Sequence, residues 1–383
     1  MLGKLRVGVD ACTLVSHRTG VGNYIHDILL PACEANPAVT WVLYSNTDIH
    51  FPDRPNVVQR SNAGNARGVF WQNLHLPKLL KRDGITVYWG ANGFIPLRDL
   101  GKTRAVVTIH DLVHRFQPAT SEKLVRWSRR VCQPSSAKKA DVVTCNSDST
   151  AADVATVYGV ESWATMRPMI SGAFAPPSAS KAAEVAAKYS LPEHFILVVG
   201  TLEPRKNIPL FLDAVARCRA AGIDLPMVVH AGGSGWLAAE TEASVTAAEA
   251  AGWLRRLGFV PTVDLPALYN ACTVFCMPST YEGYGMPIAE ALNCGAAVMH
   301  GDHLSMVEAS GGFGYAFAPT IPGMADALKL FASGKMPLPR REQPILPEAE
   351  PSSDVLFAAI MEAALSEYRP VQPRRSPAPQ PTR

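Results

Sequence analysis

Short runs of β-branched and apolar residues alternate with helical patterns along this chain, and the alternation happens twice. A run of four to six such residues suits a strand covered on both faces. A helix-length segment between successive runs forces a parallel order, because parallel neighbours need a crossover. LRVGVD (5–10), VTWVLYS (39–45), ITVYWG (85–90), RAVVTIHD (104–111) and ADVVTCNS (140–147) form the first series, with helical stretches at 22–35, 70–82 and 147–157. FILVVGT (195–201), PMVVHAG (226–232), RRLGFV (255–260), CTVFCMP (272–278) and AAVMHG (296–301) form the second, with helices near 207–221, 263–271 and 287–294. The expected fold is α/β, two Rossmann-like domains with parallel sheets.

The domains are expected at 1–170 and 193–350, joined by a connection at 171–192 that is rich in Pro, Ser and Ala. Residues 336–351 hold five prolines and are expected to cross the surface without helix or central strand. A helix follows at 353–368. The Pro- and Arg-rich tail at 369–383 lacks apolar anchors beyond Val371 and is expected to be disordered. With 383 residues, 48% of them hydrophobic, the chain has enough length for two cores.

No apolar run reaches the roughly 18 residues of a membrane span, and MLGKLRVGVDAC lacks the apolar stretch of a signal peptide. A cytoplasmic protein is expected. The eight cysteines form no CxxC pair, and Cys272 and Cys276, four apart, have no neighbouring histidine, so reduced thiols are expected rather than a disulfide or zinc framework. A net charge of +3 is too small to argue for nucleic acid. The charge is uneven, however: residues 112–140 hold seven basic residues against Glu122 alone, with Leu124, Trp127 and Val131 interleaved. Such a segment is either a peripheral docking face for an anionic membrane or a packed helix with a solvated basic face.

Ser279–Gly295, STYEGYGMPIAEALNCG, sets Glu282 and Glu290 on either side of a glycine turn that opens a helix. The turn Gly283-Tyr284-Gly285 lets bare backbone approach a ligand, and Pro287 is favoured in a first helical turn. The helix N-terminus then favours phosphate or developing negative charge, while carboxylates accept hydrogen bonds from sugar hydroxyls. The pattern suits a sugar nucleotide. The chain contains no DxD motif to carry a magnesium ion, so positive side chains and helix ends must stabilise a departing diphosphate. Arg205 and Lys206 follow Gly200 at a strand-to-helix turn, where open α/β sheets hold ligands and where cations would otherwise oppose the helix dipole. His110 and Asp111 end the strand RAVVTIHD, again at a carboxyl end. Gly20 and Gly22 open the first helix, but Ile25 stands where a dinucleotide fingerprint needs glycine, which argues against a nicotinamide cofactor. Gly232-Gly233-Ser234-Gly235 is either a cleft loop or a turn.

TGVGNY (19–24), TIHD (108–111), CNSDST (145–150), GTLEPRKN (200–207), LGFV (257–260) and LPALYNACTVFCMPSTYEGYGMPIAEALNCGAAV (265–298) resemble, in order, the motifs of glycosyltransferase family 4. The resemblance spans about residues 4–320. It implies a GT-B fold with two Rossmann-like domains facing a central cleft, the first (1–170) taking the acceptor and the second (193–350) the nucleotide sugar, a C-terminal helix returning to the first domain, and retaining transfer with no metal or other cofactor. It implies that Lys206 contacts the diphosphate, with Arg205 standing in for a basic residue that usually follows Gly200, where Thr201 stands here. Glu290 would accept from the ribose, Glu282 would face the donor sugar and its phosphate, and the backbone of Tyr284, Gly285 and Met286 would approach the sugar. His110 would lie beside the sugar, and Gly20, Gly22 and Asn23 would face acceptor and phosphate; Glu308 matches a family glutamate whose role stays open. GTLEPRKN most resembles mannosyl- and rhamnosyl-transferring members, which makes GDP-mannose the leading donor and a saccharide or lipid-linked molecule the acceptor, in surface polysaccharide assembly. A GT-B epimerase or hydrolase, or a non-catalytic nucleotide-sugar-binding protein, would share the nucleotide grip. The E-x7-E form argues against the former, and the intact His110, Lys206, Glu282 and Glu290 set against the latter.

Overall fold

In a computed structural model, residues 5–18, 20–61, 68–117, 123–233, 239–339 and 351–365 are described, with the backbone alone at 69, 123–128 and 239–241. The first half holds β1 (Arg6–Asp10), β2 (Thr40–Tyr44), β3 (Val57–Arg60), β4 (Val87–Gly90), β5 (Arg104–Ile109), β6 (Val142–Cys145) and β7 (Ala164–Thr165). The second holds β8 (Phe195–Val199), β9 (Met227–Ala231), β10 (Leu254–Gly258), β11 (Val274–Met277), β12 (Val298–Gly301) and β13 (Gly314–Phe317). Their orders are β3-β2-β1-β4-β5-β6-β7 and β10-β9-β8-β11-β12-β13, and every pairing is parallel. The strand order reverses between β1 and β4 and again between β8 and β11. At such a switch point the connections leave to opposite faces and open a crevice beyond the carboxyl ends.

Helices cover both faces of each sheet. Val7, Val9, Ile25, Leu29 and Val106 are fully buried on one face of the first sheet, while Tyr44, Leu76, Tyr88 and Val107 fill the other. The second sheet repeats the arrangement, with Ile196, Phe211 and Val274 on one side and Leu197, Leu268 and Ile288 on the other.

Three strands, β3, β7 and β13, lie outside the runs legible in the sequence. The helix expected over 70–82 is two helices, Gly68–Leu74 and Leu76–Arg82. Pro77 is the cause: it lacks an N–H and crowds the residue before it, so it sits in the first turn of a new helix. The stretch read as a connection contains the helix Ala179–Lys188, capped by Ser178, whose side chain accepts from the Lys181 amide. Its alanines favour helix, and Val185 packs into the second core. Residues 340–350 of the proline-rich crossing, 366–368 of the last helix, and the tail lie outside the described residues. No helix among the described residues is long and apolar enough to cross a membrane.

The helix Ser352–Leu365 lies on the first sheet. Leu356, Ala359, Ile360 and Ala363 are fully buried beside Val7, Val9 and Ile25, and Ser352 Oγ donates to the Arg167 carbonyl at 2.6 Å. Leu356→Ala is therefore expected to destabilise the chain by about 2–5 kcal/mol. Leu365→Ala, at the exposed end of the same helix, should stay within about 0.5 kcal/mol. Chemical denaturation of the two variants checks this; equal effects would show that the helix does not seal the first core.

Candidate active site

The second switch point gathers residues that are far apart in sequence. Gly200, at the end of β8, has φ +133, and a Cβ on Gly232 would stand 2.1 Å from the Gly200 carbonyl oxygen, so the two strand ends meet through bare backbone. A 3-10 turn, Pro204–Lys206, then turns both cations onto Glu282. Arg205 Nη1 donates to Oε2 at 2.5 Å, and Lys206 Nζ to Oε1 at 2.8 Å. Ser279 Oγ donates to Oε1 at 2.9 Å, and the Thr280 amide donates to the Arg205 carbonyl at 3.0 Å. Burial alone would push the Glu282 carboxyl up, but Arg205, Lys206 and Ser279 outweigh it and hold it at about 2. Glu203 reaches the far side of the Arg205 guanidinium at 3.4 Å.

Glu290 behaves in the opposite way. It lies in the helix Met286–Asn293, which starts at Gly285 (φ +116) with Pro287 in its first turn. Burial pushes its carboxyl up to about 7, against the Tyr269 hydroxyl, which donates at 3.1 Å, and against the charge of Lys206. Asp27, on the helix Gly20–Ala35 of the other half, adds to the upward shift. Two carboxyls of one motif are thus driven apart by their surroundings, a separation typical of sites that give different tasks to the same group.

His110 stands at the end of β5, 8% exposed, edge-on to the Tyr24 ring with centroids 4.8 Å apart. Its Nε2 meets the Ala91 carbonyl at 2.6 Å. A carbonyl only accepts, so Nε2 carries the proton; burial pushes the imidazole pKa down, which leaves Nδ1 as an acceptor.

The two halves meet at this place. A Cβ on Gly283 would fall 1.9 Å from the His110 carbonyl oxygen, so only glycine allows the approach. The Gly283 carbonyl accepts from Ser147 Oγ (2.6 Å) and Thr150 Oγ1 (3.0 Å). Tyr281 Oη accepts from the Leu112 amide at 3.1 Å and donates to Asp153 at 2.8 Å. Glu308 caps a helix of the other half: it accepts from the Asp148 amide at 2.9 Å and from Arg167 Nε at 2.8 Å.

Arg205, Lys206, Glu282, Glu290, Gly200, Gly285 and His110 therefore line one interdomain region, with Tyr284 and Met286 half-buried beside it. The loop after β1 leads into Gly20, Gly22 and Asn23 at the first switch point. Asn23 Oδ1 accepts from Arg18 Nε at 3.3 Å, and Gly22 is needed because a Cβ there would stand 2.4 Å from the Thr13 carbonyl, whereas Gly20 is open. Ser234 and Gly235 lie outside the described residues, as does Thr19. All eight cysteines are free. Ser147, Thr150, Asp153, Tyr269 and Tyr281 were not singled out from the sequence. CNSDST offered a signal, since a serine that ends a strand and caps a helix has a hydroxyl aimed at the crevice.

Two parallel α/β sheets with their carboxyl ends turned toward each other across one region define the GT-B class. Sucrose-phosphate synthase from Thermosynechococcus elongatus shares this fold, with a TM-score of 0.68 at 19% identity over 94% of this chain and 96% of that one. Residues 18–166 match Glycosyltransferase Family 4 and residues 184–341 match Glycosyl transferases group 1, and the chain belongs to these family 4-like glycosyltransferases. O-antigen chain mannosyltransferase B of Escherichia coli is 32% identical over 238 residues, 61% of each chain. The serotype-specific mannosyltransferase WbdA of Escherichia coli is 37% identical over 139 residues, 35% of this chain and 17% of that protein. The chain thus spans less than two thirds of the length of either relative.

The raised Glu290 pKa has a stability consequence. The unfolded carboxyl ionises near 4.5 and the folded one near 7. Across that window the unfolded state holds fewer protons, so stability falls as pH rises and levels off above it. Glu290→Gln should lack this term. Its Tm relative to wild type is expected to climb from pH 5 to pH 8, and a constant difference in thermal melts would contradict the assignment.

Proposed function

We propose that the protein is a retaining glycosyltransferase that moves a hexose, mannose from GDP-mannose, to a saccharide or lipid-linked acceptor in surface polysaccharide assembly. The observation that carries this reading is the convergence of Arg205 and Lys206 on Glu282 beside the glycine turn. Both cations are held where a diphosphate would need them, so little reorganisation is required as the glycosidic bond breaks. The N-terminal end of the Met286–Asn293 helix starts at the same turn, and its dipole favours the same charge. Glu290, poised near neutrality, accepts from the ribose; Glu282 orients the sugar and its phosphate; and His110, with Nδ1 as acceptor, contacts a sugar hydroxyl. The departing phosphate takes the acceptor's proton. Mannose rests on the names of the two Escherichia coli relatives.

Titration of the full chain with GDP, UDP and their hexose conjugates, followed by donor consumption with and without saccharide acceptors, tests the reading. Transfer supports it; turnover without an acceptor would indicate a hydrolase or epimerase, and binding alone a non-catalytic protein. Lys206→Ala is expected to lower transfer about 100-fold, on the order of 3 kcal/mol for one lost electrostatic donor. Activity within twofold of wild type would refute the role.

A lipid-linked acceptor calls for a membrane face, and residues 112–140 suit one. Arg115, Arg130 and Lys138 are exposed, and Phe116 and Val131 are each 45% exposed among them. Phe70, 71% exposed, lies on a neighbouring helix joined to this face through Leu97, whose amide donates to Asn73 and whose carbonyl accepts from Lys139. The side chains of Arg126 and Trp127 are outside the description. At about 1 kcal/mol per basic side chain near an anionic surface, binding would be reversible and weakened by salt. Wild type should co-sediment with anionic vesicles at low ionic strength, and a variant with Arg115, Arg130 and Lys138 changed to glutamine should not. Equal behaviour of the two would make the basic face a solvated surface.

A further inference from the structure

Glu282 is bracketed by residues that the first domain holds. On one side, the Gly283 carbonyl accepts from Ser147 Oγ and Thr150 Oγ1. On the other, Tyr281 is 4% exposed and sends its phenol across, where it accepts from the Leu112 amide at 3.1 Å and donates to Asp153 Oδ2 at 2.8 Å. The Tyr281 ring packs against Phe116 of the first domain, with centroids 5.2 Å apart, and against His303 of the second, 4.6 Å apart. Thr280, one residue earlier, accepts from Gln117 Nε2 at 3.2 Å through Oγ1 and donates its amide to the Arg205 carbonyl at 3.0 Å. Leu112, Phe116 and Gln117 all follow His110 closely in the chain. The first domain therefore grips positions 280, 281 and 283, immediately around the glutamate.

The side chain of Glu282 is tied the other way, to Arg205, Lys206 and Ser279 of its own domain. Its carboxylate thus belongs to the second domain while its peptide is held by the first. Asp153 is well placed for the task. It lies on the helix Asp148–Tyr158, which also supplies Thr150 to Gly283, so one helix reaches both sides of Glu282. A phenol donating to a half-buried carboxylate is a charge-assisted bond, stronger and more directional than a neutral one. We infer that Tyr281 and Asp153 are positioning residues for glycosyl transfer: through the peptide of Glu282 they set the Arg205–Lys206–Glu282 cluster against His110. They bear on the transfer step, which needs both domains in register, and not on nucleotide binding, whose groups Arg205, Lys206 and Glu290 all come from the second domain. What the cluster does to a donor rests on the glycosyl-transfer reading; the clamp is independent of it.

Steady-state kinetics on the full chain, with GDP-mannose as donor and α-linked mannobiose as acceptor, are set beside calorimetric titration with GDP. Tyr281→Phe should lower kcat at least tenfold while GDP affinity stays within twofold of wild type. Asp153→Ala should do the same, whereas Asp153→Asn, which keeps an acceptor oxygen for the phenol, should stay within threefold of wild type in kcat. Tyr281→Phe combined with Asp153→Ala should be within twofold of the slower single variant, because the two changes remove one interaction. The positioning role is overturned if Tyr281→Phe turns over within twofold of wild type, if kcat and GDP affinity fall together in both Tyr281→Phe and Asp153→Ala, or if Asp153→Asn falls as far as Asp153→Ala. Hydrogen exchange reads the clamp without a donor: the Leu112 amide should exchange at least tenfold faster in Tyr281→Phe, and unchanged exchange overturns the clamp. A wild type that protects this amide yet turns over no GDP-mannose leaves the clamp standing and overturns the transfer reading instead.

Discussion

A carboxylate buried between two cations holds the second switch point together. Glu282 is brought in by the loop after β11, while Arg205 and Lys206 come from the turn after β8, and none of the three could be buried at low cost alone. Stripping the partner from a buried charge costs on the order of 3–5 kcal/mol, far more than any single contact in the loops around it. The cluster therefore sets the conformation of both loops. It extends through the backbone as well: the Glu282 carbonyl accepts from Ser305 Oγ at 2.8 Å, which ties the glycine turn to the helix Leu304–Ser310 and so to Glu308.

The same short segment governs how the halves meet. Tyr281, Gly283 and, one helix later, Glu308 each contact the first domain through hydrogen bonds to backbone groups or helix ends. Glu308 is placed at the positive end of the helix Asp148–Tyr158; burial pushes its carboxyl above the usual range, and Arg167 and the helix amides offset part of that cost. The glycine turn is thus fixed both by charge within its own domain and by hydrogen bonding to the other. The two halves are in direct backbone contact at this point, where Gly283 abuts the His110 carbonyl.

Much of this was legible beforehand. Both sheets, their parallel order and the turn at Gly283–Gly285 follow from local patterns: buried strands read as unbroken apolar runs, and a helix after Pro287 has one natural starting point. The short edges β3, β7 and β13 were not legible, since edge strands need fewer apolar residues and their runs fall below the pattern. The break at Pro77 was written in the residues but masked by the helical spacing on either side. The bond from Arg18 to Asn23 across the loop after β1 was not legible either.

The sequence by itself determined the fold class and the types of group available, because strand, helix and turn preferences act over a few residues. Only the tertiary structure decided which groups meet. Lys206 and Glu282 stand 76 positions apart, and Tyr281 and Leu112 stand 169 apart; no local preference encodes such pairings. It also separated two similar glutamates, one held at about 2 by cations and one raised to about 7 by burial, since a carboxyl's charge is set by the atoms packed around it rather than by its neighbours in the chain.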